Sequence, residues 1–567
     1  MAKEVFMPKS GMDMQEGRII RWLVKEGDRV REGDVLLEIE TDKVAMEVEA
    51  PCDGILLRRF FDDGAVVPVV TIIAYIGEEG EEVPDKPSMA GGRERAEEAA
   101  FLTKGAPQPK REYEYQLAII GGGPAGYTAA LRAARLGAKT ILFEKDLMGG
   151  TCTNRGCIPM KSYLSAVRLK DELTGASKRE IFPFEEEIRI CFEKLFSEKE
   201  KTVSELRGNV EMLLGKANVE IVREEAVMIG RHHIKAGNRT YRAANTILAT
   251  GAGTRKLSVP GSDIEGILDS EDMLKLKEVP ESLIVIGGGV IGCEMAEAWQ
   301  VFGSDVTIVE EREHLLPTFD EDVSKEIEKC LKRRGVKMEL NAKVSHFKEQ
   351  DGRPVLVLKD GSEMPAEKIL CAVGRTPDLS CLGVLADKLD YERGKIMVDE
   401  YCRTNIDNIY ACGDITNRSI LAHSAMKMGD AAASTACGRP KMVRLNRAPL
   451  LLFTVPEAAG IGMTEPEARR QGDILVGRYP FYANGRAKAQ GETEGFVKVI
   501  ADKGYGEILG VHIVGPMATE LIVEAKTMMD MEITVYEVAE IMHPHPTWSE
   551  AFMEACAAAI GECLEMP

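Results

Sequence analysis

LAIIGGGPAGYTAALRAARLGAKTILFE, residues 117–144, decides the fold. Four apolar residues, Leu117 to Ile120, run into Gly121-Gly122-Gly123-Pro124-Ala125-Gly126, and an alanine-rich stretch follows. Strand, glycine turn and helix in that order let a backbone approach a pyrophosphate at a helix N-terminus. Glu144 closes the next apolar run, TILFE, eighteen residues past Gly126, where it can accept hydrogen bonds from a ribose. The pattern recurs downstream. Leu283 to Ile286 precedes Gly287-Gly288-Gly289-Val290-Ile291-Gly292, and VTIVE ends at Glu310, again eighteen residues past the last glycine. Two Rossmann-like nucleotide domains are predicted. The acid pair Glu310-Glu311 repels a 2′-phosphate and favours NAD over NADP, with Arg312 the neighbour able to bind one.

Just after the first turn stands GGTCTNRGCIPMKS, residues 149–162. Cys152 and Cys157 are five positions apart, a step that rises ~7.5 Å in a regular helix. The Cα atoms of a disulfide want roughly 4.4–6.8 Å. The pair therefore calls for a distorted turn, which Gly156 permits. A bare Cys-x4-Cys also fits a static disulfide or two buried thiols. A strained, reachable pair beside a nucleotide turn points instead to a labile, redox-active one.

At 567 residues the chain is long enough for about four domains. Its net charge of −20 disfavours nucleic acid and anionic membranes as partners. The 13 cysteines are scattered, without the density of a secreted scaffold. The opening residues hold no apolar leader, and no apolar stretch is long enough to span a bilayer. A cytoplasmic setting is expected.

The first eighty residues hold an internal repeat. EGRIIRWLVKEGDRVREGDVLLEIE (16–40) and DGILLRRFFDDGAVVPVVTIIAYIG (53–77) align Gly17 with Gly54, Gly27 with Gly64, Val30 with Val67 and Ile39 with Ile76. Both halves read as short strands broken by Gly-Asp turns, which implies a two-fold, flattened β-barrel or sandwich. Between them, EIETDKVAMEVEAP places Lys43 at an expected hairpin tip. Residues 78–113, rich in Pro, Gly, Glu and Ala, read as a flexible linker. A second lysine setting, Ala425-Met426-Lys427-Met428, spells a biotinyl tetrapeptide but lies in a helical pattern, so it is not expected to carry biotin.

Further strings complete the pattern: TILATGA (246–252), AVGRTPDL (372–379), NIYACGDIT (408–416), the Leu421-Ala422-His423 segment, FTVPEAAGIG (453–462) and HPHPTWSE (543–550). With these, residues 114–567 resemble the dihydrolipoamide dehydrogenases, members of the pyridine nucleotide–disulfide oxidoreductases. Residues 1–77 resemble a fused lipoyl domain of barrel-sandwich type, where Asp42-Lys43-Val44 replaces the Met-Lys-Met of biotinyl domains. The resemblance implies an FAD domain at 114–258, an NAD domain at 259–383, a central segment at 384–447 that returns to the FAD domain, and an α+β dimerisation domain at 448–567.

It also implies roles. Non-covalent FAD is expected to use Gly121, Gly123, Gly126, Glu144, Lys145, Gly150, Thr151, Lys161, Ala217, Thr250, Gly251, Asp414, Leu421, Ala422 and His423. NAD is expected to use Gly287, Gly289, Gly292, Glu294, Glu310, Val344 and Gly374. Cys157 becomes the flavin-facing thiol and Cys152 the interchange thiol. His545, held by Glu550, becomes the acid/base, supplied across a homodimer. Lys43 carries lipoyl in amide linkage, and no metal site is expected. The implied activity oxidises protein-bound dihydrolipoyl groups with NAD. The implied partners are a lipoyl-bearing acyltransferase (E2) or a glycine-cleavage H-protein. Other FAD disulfide reductases, for glutathione or mercuric ion, and a mainly lipoyl-carrying role stand as alternatives. The departures from the family pattern are Arg155 between the cysteines, Met160 before Lys161, and SAMKMGD after His423.

Overall fold

The computed structural model describes residues 2–8, 16–40, 45–68, 71–78, 81, 83, 113–182 and 188–565. They divide into two compact units, Met1–Gln108 and Pro109–Pro567.

The first unit is two four-stranded antiparallel sheets. One orders Lys3–Phe6, Ile72–Gly77, Gly54–Arg59 and Arg29–Val30; the other orders Ala45–Glu49, Val35–Glu40, Glu16–Trp22 and Val66–Pro68. The sequence repeat is a structural repeat. Gly27 and Gly64 take φ of 94° and 85°, a region open to glycine. Gly27 N–H donates to Leu56 O and Gly64 N–H to Ile19 O, each at 2.8 Å, and Leu56 and Ile19 are themselves repeat mates. The aligned pairs Val30/Val67 and Ile39/Ile76 all lie in the core between the sheets. Glu40 and Ala45 close the hairpin expected to bear Lys43. Lys43 itself, with residues 41–44, lies outside the described residues, as does most of the 78–113 linker.

The second unit is built on three large sheets. In the first, Glu220–Val222, Thr140–Phe143, Tyr115–Ile120, Arg239–Leu248 and Ile409–Ala411 run parallel, and an antiparallel extension adds His233–Ala236 and Ala226–Gly230. The second is an all-parallel sheet of five, ordered Ile267–Leu268, Lys368–Cys371, Ser282–Ile286, Asp305–Val309 and Lys337–Glu339. Parallel strands are covered on both faces, which is why Leu117–Ile120 and Leu283–Ile286 are continuous apolar runs rather than alternating ones. The third is an antiparallel sheet of five strands between Leu450 and Gly515, ordered Leu450–Leu452, Glu457–Gly462, Ile508–Gly515, Phe496–Asp502 and Ile474–Pro480.

After the strand Ile409–Ala411 the chain forms the helix Ala422–Ala436, which packs closely on the helix Pro124–Arg135. Small side chains allow that approach: a Cβ on Gly429 would sit 2.2 Å from Ala125 O. Lys427, in the biotin-like tetrapeptide, belongs to this helix and to no hairpin. Among the described residues no helix is long and apolar enough to cross a membrane.

The two glycine turns fold alike. Gly121 and Gly287 have φ of 108° and 104°. A Cβ on Gly126 would lie 1.7 Å from Gly121 O, and one on Gly292 1.9 Å from Gly287 O, so each third glycine is demanded by its own turn. Nothing lies within 4 Å of a Cβ on Gly289. Gly292→Ala is therefore expected to cost about 3 kcal/mol of stability by overpacking. Gly289→Ala is expected to melt within about 0.5 kcal/mol of the parent chain, yet to weaken dinucleotide binding by filling the space over the turn. Thermal melts and a nucleotide titration on both variants check this contrast.

Candidate functional site

Each glycine turn comes with its acid already fastened. Glu144 Oε2 accepts Gly122 N–H at 2.7 Å and Oε1 accepts Asp146 N–H at 2.8 Å. Glu310 repeats this, taking Gly288 N–H at 2.7 Å and Arg312 N–H at 2.9 Å. Both turns thus present glycine N–H groups, a helix N-terminus and a fixed carboxylate, which fit a dinucleotide. Gly150 is pressed against the first turn: its Cβ would lie 2.6 Å from Gly123 Cα.

Around the first turn, Lys145 Nζ pairs with Asp378 at 3.0 Å and Glu225 at 3.4 Å. Thr250 Oγ1 donates to Asp378 O at 2.6 Å. A cavity of about 50 Å³ opens there, bordered by Gly121, Glu144, Lys145, Glu225, Thr250 and Asp378. Gly251 has φ of 73° and opens the segment that follows Thr250. Ala217 caps the helix Phe192–Lys216, ahead of the strand paired with Thr140–Phe143. Asp414 follows Gly413 and is held largely out of solvent; burial pushes its carboxyl up, against the pull of Arg375. Leu421 and Ala422 form the N-terminus of their helix, and His423 Nε2 is buried with no hydrogen-bond partner among the described residues. Burial lowers the His423 imidazole pKa.

The cysteines lie on either side of a helix break. One helix runs Gly150–Arg155, the next Cys157–Lys178, and Gly156 between them takes φ −149° and ψ −107°. The distorted turn expected between the cysteines falls at Gly156. Both cysteines are thiols here, partly buried. A hydrogen bond from Cys152 lowers the Cys157 pKa, and the Lys161 ammonium adds to this against the cost of burial. Cys152 is correspondingly raised, first by that same contact and then by burial. Cys157 and Lys161, one helical turn apart, share a face.

Lys161 Nζ meets both Glu294 oxygens at 2.9 Å, and Glu294 is 3% exposed. Glu294 stands in the helix Val290–Phe302 that grows from the second glycine turn. Glu294, expected beside NAD, is thus engaged by a lysine expected beside FAD, and the pair joins the two nucleotide-binding sheets. Thr151 accepts from Arg375 at 3.3 Å. Arg155 pairs with Asp146 and, at 3.4 Å, with Glu271. Met160 is buried in the same core cluster as Trp299. Gly374 (φ 110°) accepts Arg255 N–H at 2.9 Å, and Val344 packs below the second nucleotide sheet.

His545 is far more exposed, 75% at its side chain, and donates from Nδ1 to Glu550 Oε1 at 2.8 Å. Glu550 Oε2 in turn accepts Thr547 N–H at 2.7 Å, which fixes the carboxylate. Nε2 is left outward. His543 differs: its two nitrogens face Ile541 O at 2.9 Å and Glu524 at 2.7 Å. Both partners accept, and the hydrogen bond to Glu524 raises the His543 pKa. Among the described residues neither cysteine contacts either histidine.

Sequence reasoning passed over Arg375, Asp378 and Phe453 as site residues, although all three stand in strings it singled out. Phe453 lies with its ring 4.3 Å from Lys161 Nζ. Glu297 and Arg334 carried no signal at all, because their partners are distant in sequence.

Comparison with known proteins agrees with this geometry. The family model described as pyridine nucleotide-disulphide oxidoreductase matches residues 115–429, its dimerisation domain matches 448–556, and the model described as biotin-requiring enzyme, which covers biotinyl and lipoyl domains, matches 3–76. A dihydrolipoyl dehydrogenase of Bacillus subtilis is 36% identical over 80% of this chain and 99% of its own. That of Thermus scotoductus is 39% identical over 78% and 97%. Among solved structures, LpdA of Mycobacterium tuberculosis superposes with a TM-score of 0.72 at 29% identity, covering 78% of this chain and 98% of that one. The HOCl-induced flavoprotein disulfide reductase RclA of Escherichia coli gives 0.71 at 29%, covering 78% and 99%. Two glycine turns with fastened acids, a cysteine pair across a broken helix and these matches together place the chain in the pyridine nucleotide-disulphide oxidoreductases, within the dihydrolipoyl dehydrogenase family.

Proposed function

We propose that this chain oxidises protein-bound dihydrolipoyl groups with NAD, through Cys152 and Cys157, as the E3 component of a lipoyl-dependent multienzyme complex. One observation carries the reading: the cysteine pair lies on a broken helix whose Lys161 is clamped by Glu294 of the second nucleotide domain. The first glycine turn, with Glu144, Thr151, Lys161 and Asp414, holds FAD; the second, with Glu310, holds NAD. The fused domain matched by the biotin-requiring model favours lipoyl groups over other disulfides as substrate. Lys43 is its lipoylation site.

The chemistry follows from the residues. A substrate thiolate attacks Cys152 Sγ of the oxidised pair, and Cys157 leaves as thiolate. Leaving falls to Cys157 because the thiol of lower pKa departs faster. The second substrate sulfur then expels Cys152, closing the lipoyl disulfide and leaving a Cys152 thiol. His545 takes up the substrate proton at Nε2, and Glu550 stabilises the imidazolium that forms. Flavin, when bound, supplies the two-electron path from the dithiol to the nicotinamide. His545 is exposed and shares no hydrogen bond with the cysteines among the described residues, and the chain has a dimerisation domain, so His545 serves the cysteines of a second subunit. A lipoyl-bearing acyltransferase or an H-protein is the external partner.

Cys152→Ser is expected to abolish NAD reduction by dihydrolipoamide while sparing electron transfer from NADH to dyes. Full activity of Cys152→Ser toward dihydrolipoamide would sink the reading. Mass spectrometry of residues 1–80 from native extract is expected to show lipoyl on Lys43 and no other lysine.

A lowered Cys157 pKa keeps its thiolate present below the ordinary thiol range of about 8.5, lost only as the pH falls through the lowered value. In the reduced chain, Cys157 alkylation should persist below that range. Cys152→Ala removes the hydrogen bond and should move the midpoint up by about 1 on the pH scale, the worth of one such bond. Peptide-resolved mass spectrometry across pH checks both.

A further inference from the structure

The helix Val290–Phe302 carries two buried carboxylates one turn apart, Glu294 and Glu297. Each grips the same short segment of the antiparallel domain. Glu294 Oε1 accepts Phe453 N–H at 3.1 Å, and both Glu297 oxygens accept Val455 N–H, at 3.1 and 3.0 Å. Glu297 also meets Arg334 Nε at 2.8 Å. Arg334 then reaches two further elements. It donates to Val455 O at 2.8 Å and pairs with Asp171, on the same helix as Cys157 and Lys161. The segment 453–455 is thus a strap whose N–H groups and carbonyl are held by side chains from two elements, the helix Val290–Phe302 and Arg334. It bears the Phe453 ring beneath the Lys161 ammonium.

The electrostatics give the strap a task. Cys157 faces the Cys152 thiol, the Lys161 cation and the Glu294 anion; Asp414 acts on Cys152. Glu294 works against a thiolate and Lys161 works for it. The Phe453 N–H draws on the Glu294 charge, and the Phe453 ring holds the ammonium in place by cation–π attraction. A strap that shifts leaves Glu294 less compensated and Lys161 drawn toward it, at the expense of Cys157.

We propose that Glu297, acting with Arg334, is a positioning residue that sets the balance between Lys161 and Glu294 at Cys157 through the strap Phe453–Val455. Glu297 itself touches none of the reacting groups. The proposal rests on the reading of Cys157 as the leaving thiolate.

The test is the pH midpoint for alkylation of Cys157 in the reduced, full-length holoprotein, read by peptide mass spectrometry beside a thermal melt. Glu297→Gln is expected to raise the midpoint. So is the double variant Glu297→Gln/Arg334→Met, which removes both charges together and avoids stranding one in the interior. Phe453→Leu leaves every charge in place and is expected to raise it less. Lys170→Met cuts a tie from the same helix to Val301 O that does not involve the strap, and it should leave the midpoint unchanged. Folded Glu297 variants with the parental midpoint would overturn the proposal, as would an equal rise in Lys170→Met. If neither Glu297 variant folds, an unmoved Phe453→Leu overturns it. A parent chain with no Cys157 thiolate below the ordinary range defeats the functional reading instead, so the two failures are distinguishable.

Discussion

The pair of half-buried Lys161 and buried Glu294 is the constraint on which the second unit depends. It crosses from the helix that starts at Cys157 to the helix that starts at the second glycine turn. A lone Glu294 charge would be costly to bury, so the helix that carries it is tied to the helix of Lys161. The two nucleotide-binding sheets are therefore held in one relation at the place where electrons must pass between them. Arg334, with Glu297 and Asp171, repeats the device farther along the same two helices.

Much of this architecture is visible in the chain itself, because it arises from local rules. Glycine turns leave a spacing signature, since Gly126 and Gly292 are required by carbonyls only five residues earlier. The repeat of the first unit is equally legible: each glycine turn and its buried mate recur at one offset, and the hydrogen bonds recur with them. The break falls at Gly156, where the reach of a disulfide compared with the rise of a helix leads one to expect a distorted turn.

The remainder is not local, and for that reason it is hidden. Nothing near Glu294 announces Lys161, which lies 133 positions away. Phe453 stands in a recognisable string, but that its ring lies under an ammonium is decided by packing between domains. Arg155 illustrates a departure that the structure explains: Asp146 and Glu271 bracket its charge, so a cation between the two cysteines is tolerated. Arg375 and Asp378 stand in a recognisable string, yet their partners Thr151 and Lys145 come from a segment more than two hundred residues earlier.

The fastened acids of the two turns bear on the kinetics of nucleotide capture. Glu144 and Glu310 each spend one oxygen on a glycine N–H and the other on a backbone N–H two residues ahead, so neither has a rotamer left to lose. Under the proposed function, an arriving dinucleotide finds these carboxylates already in place and need not order them. Preorganisation of this kind leaves more of the contact energy to appear as affinity. Differences in how tightly the two turns hold their nucleotides are then set by how fast each ligand leaves, while arrival stays close to the rate of productive encounter.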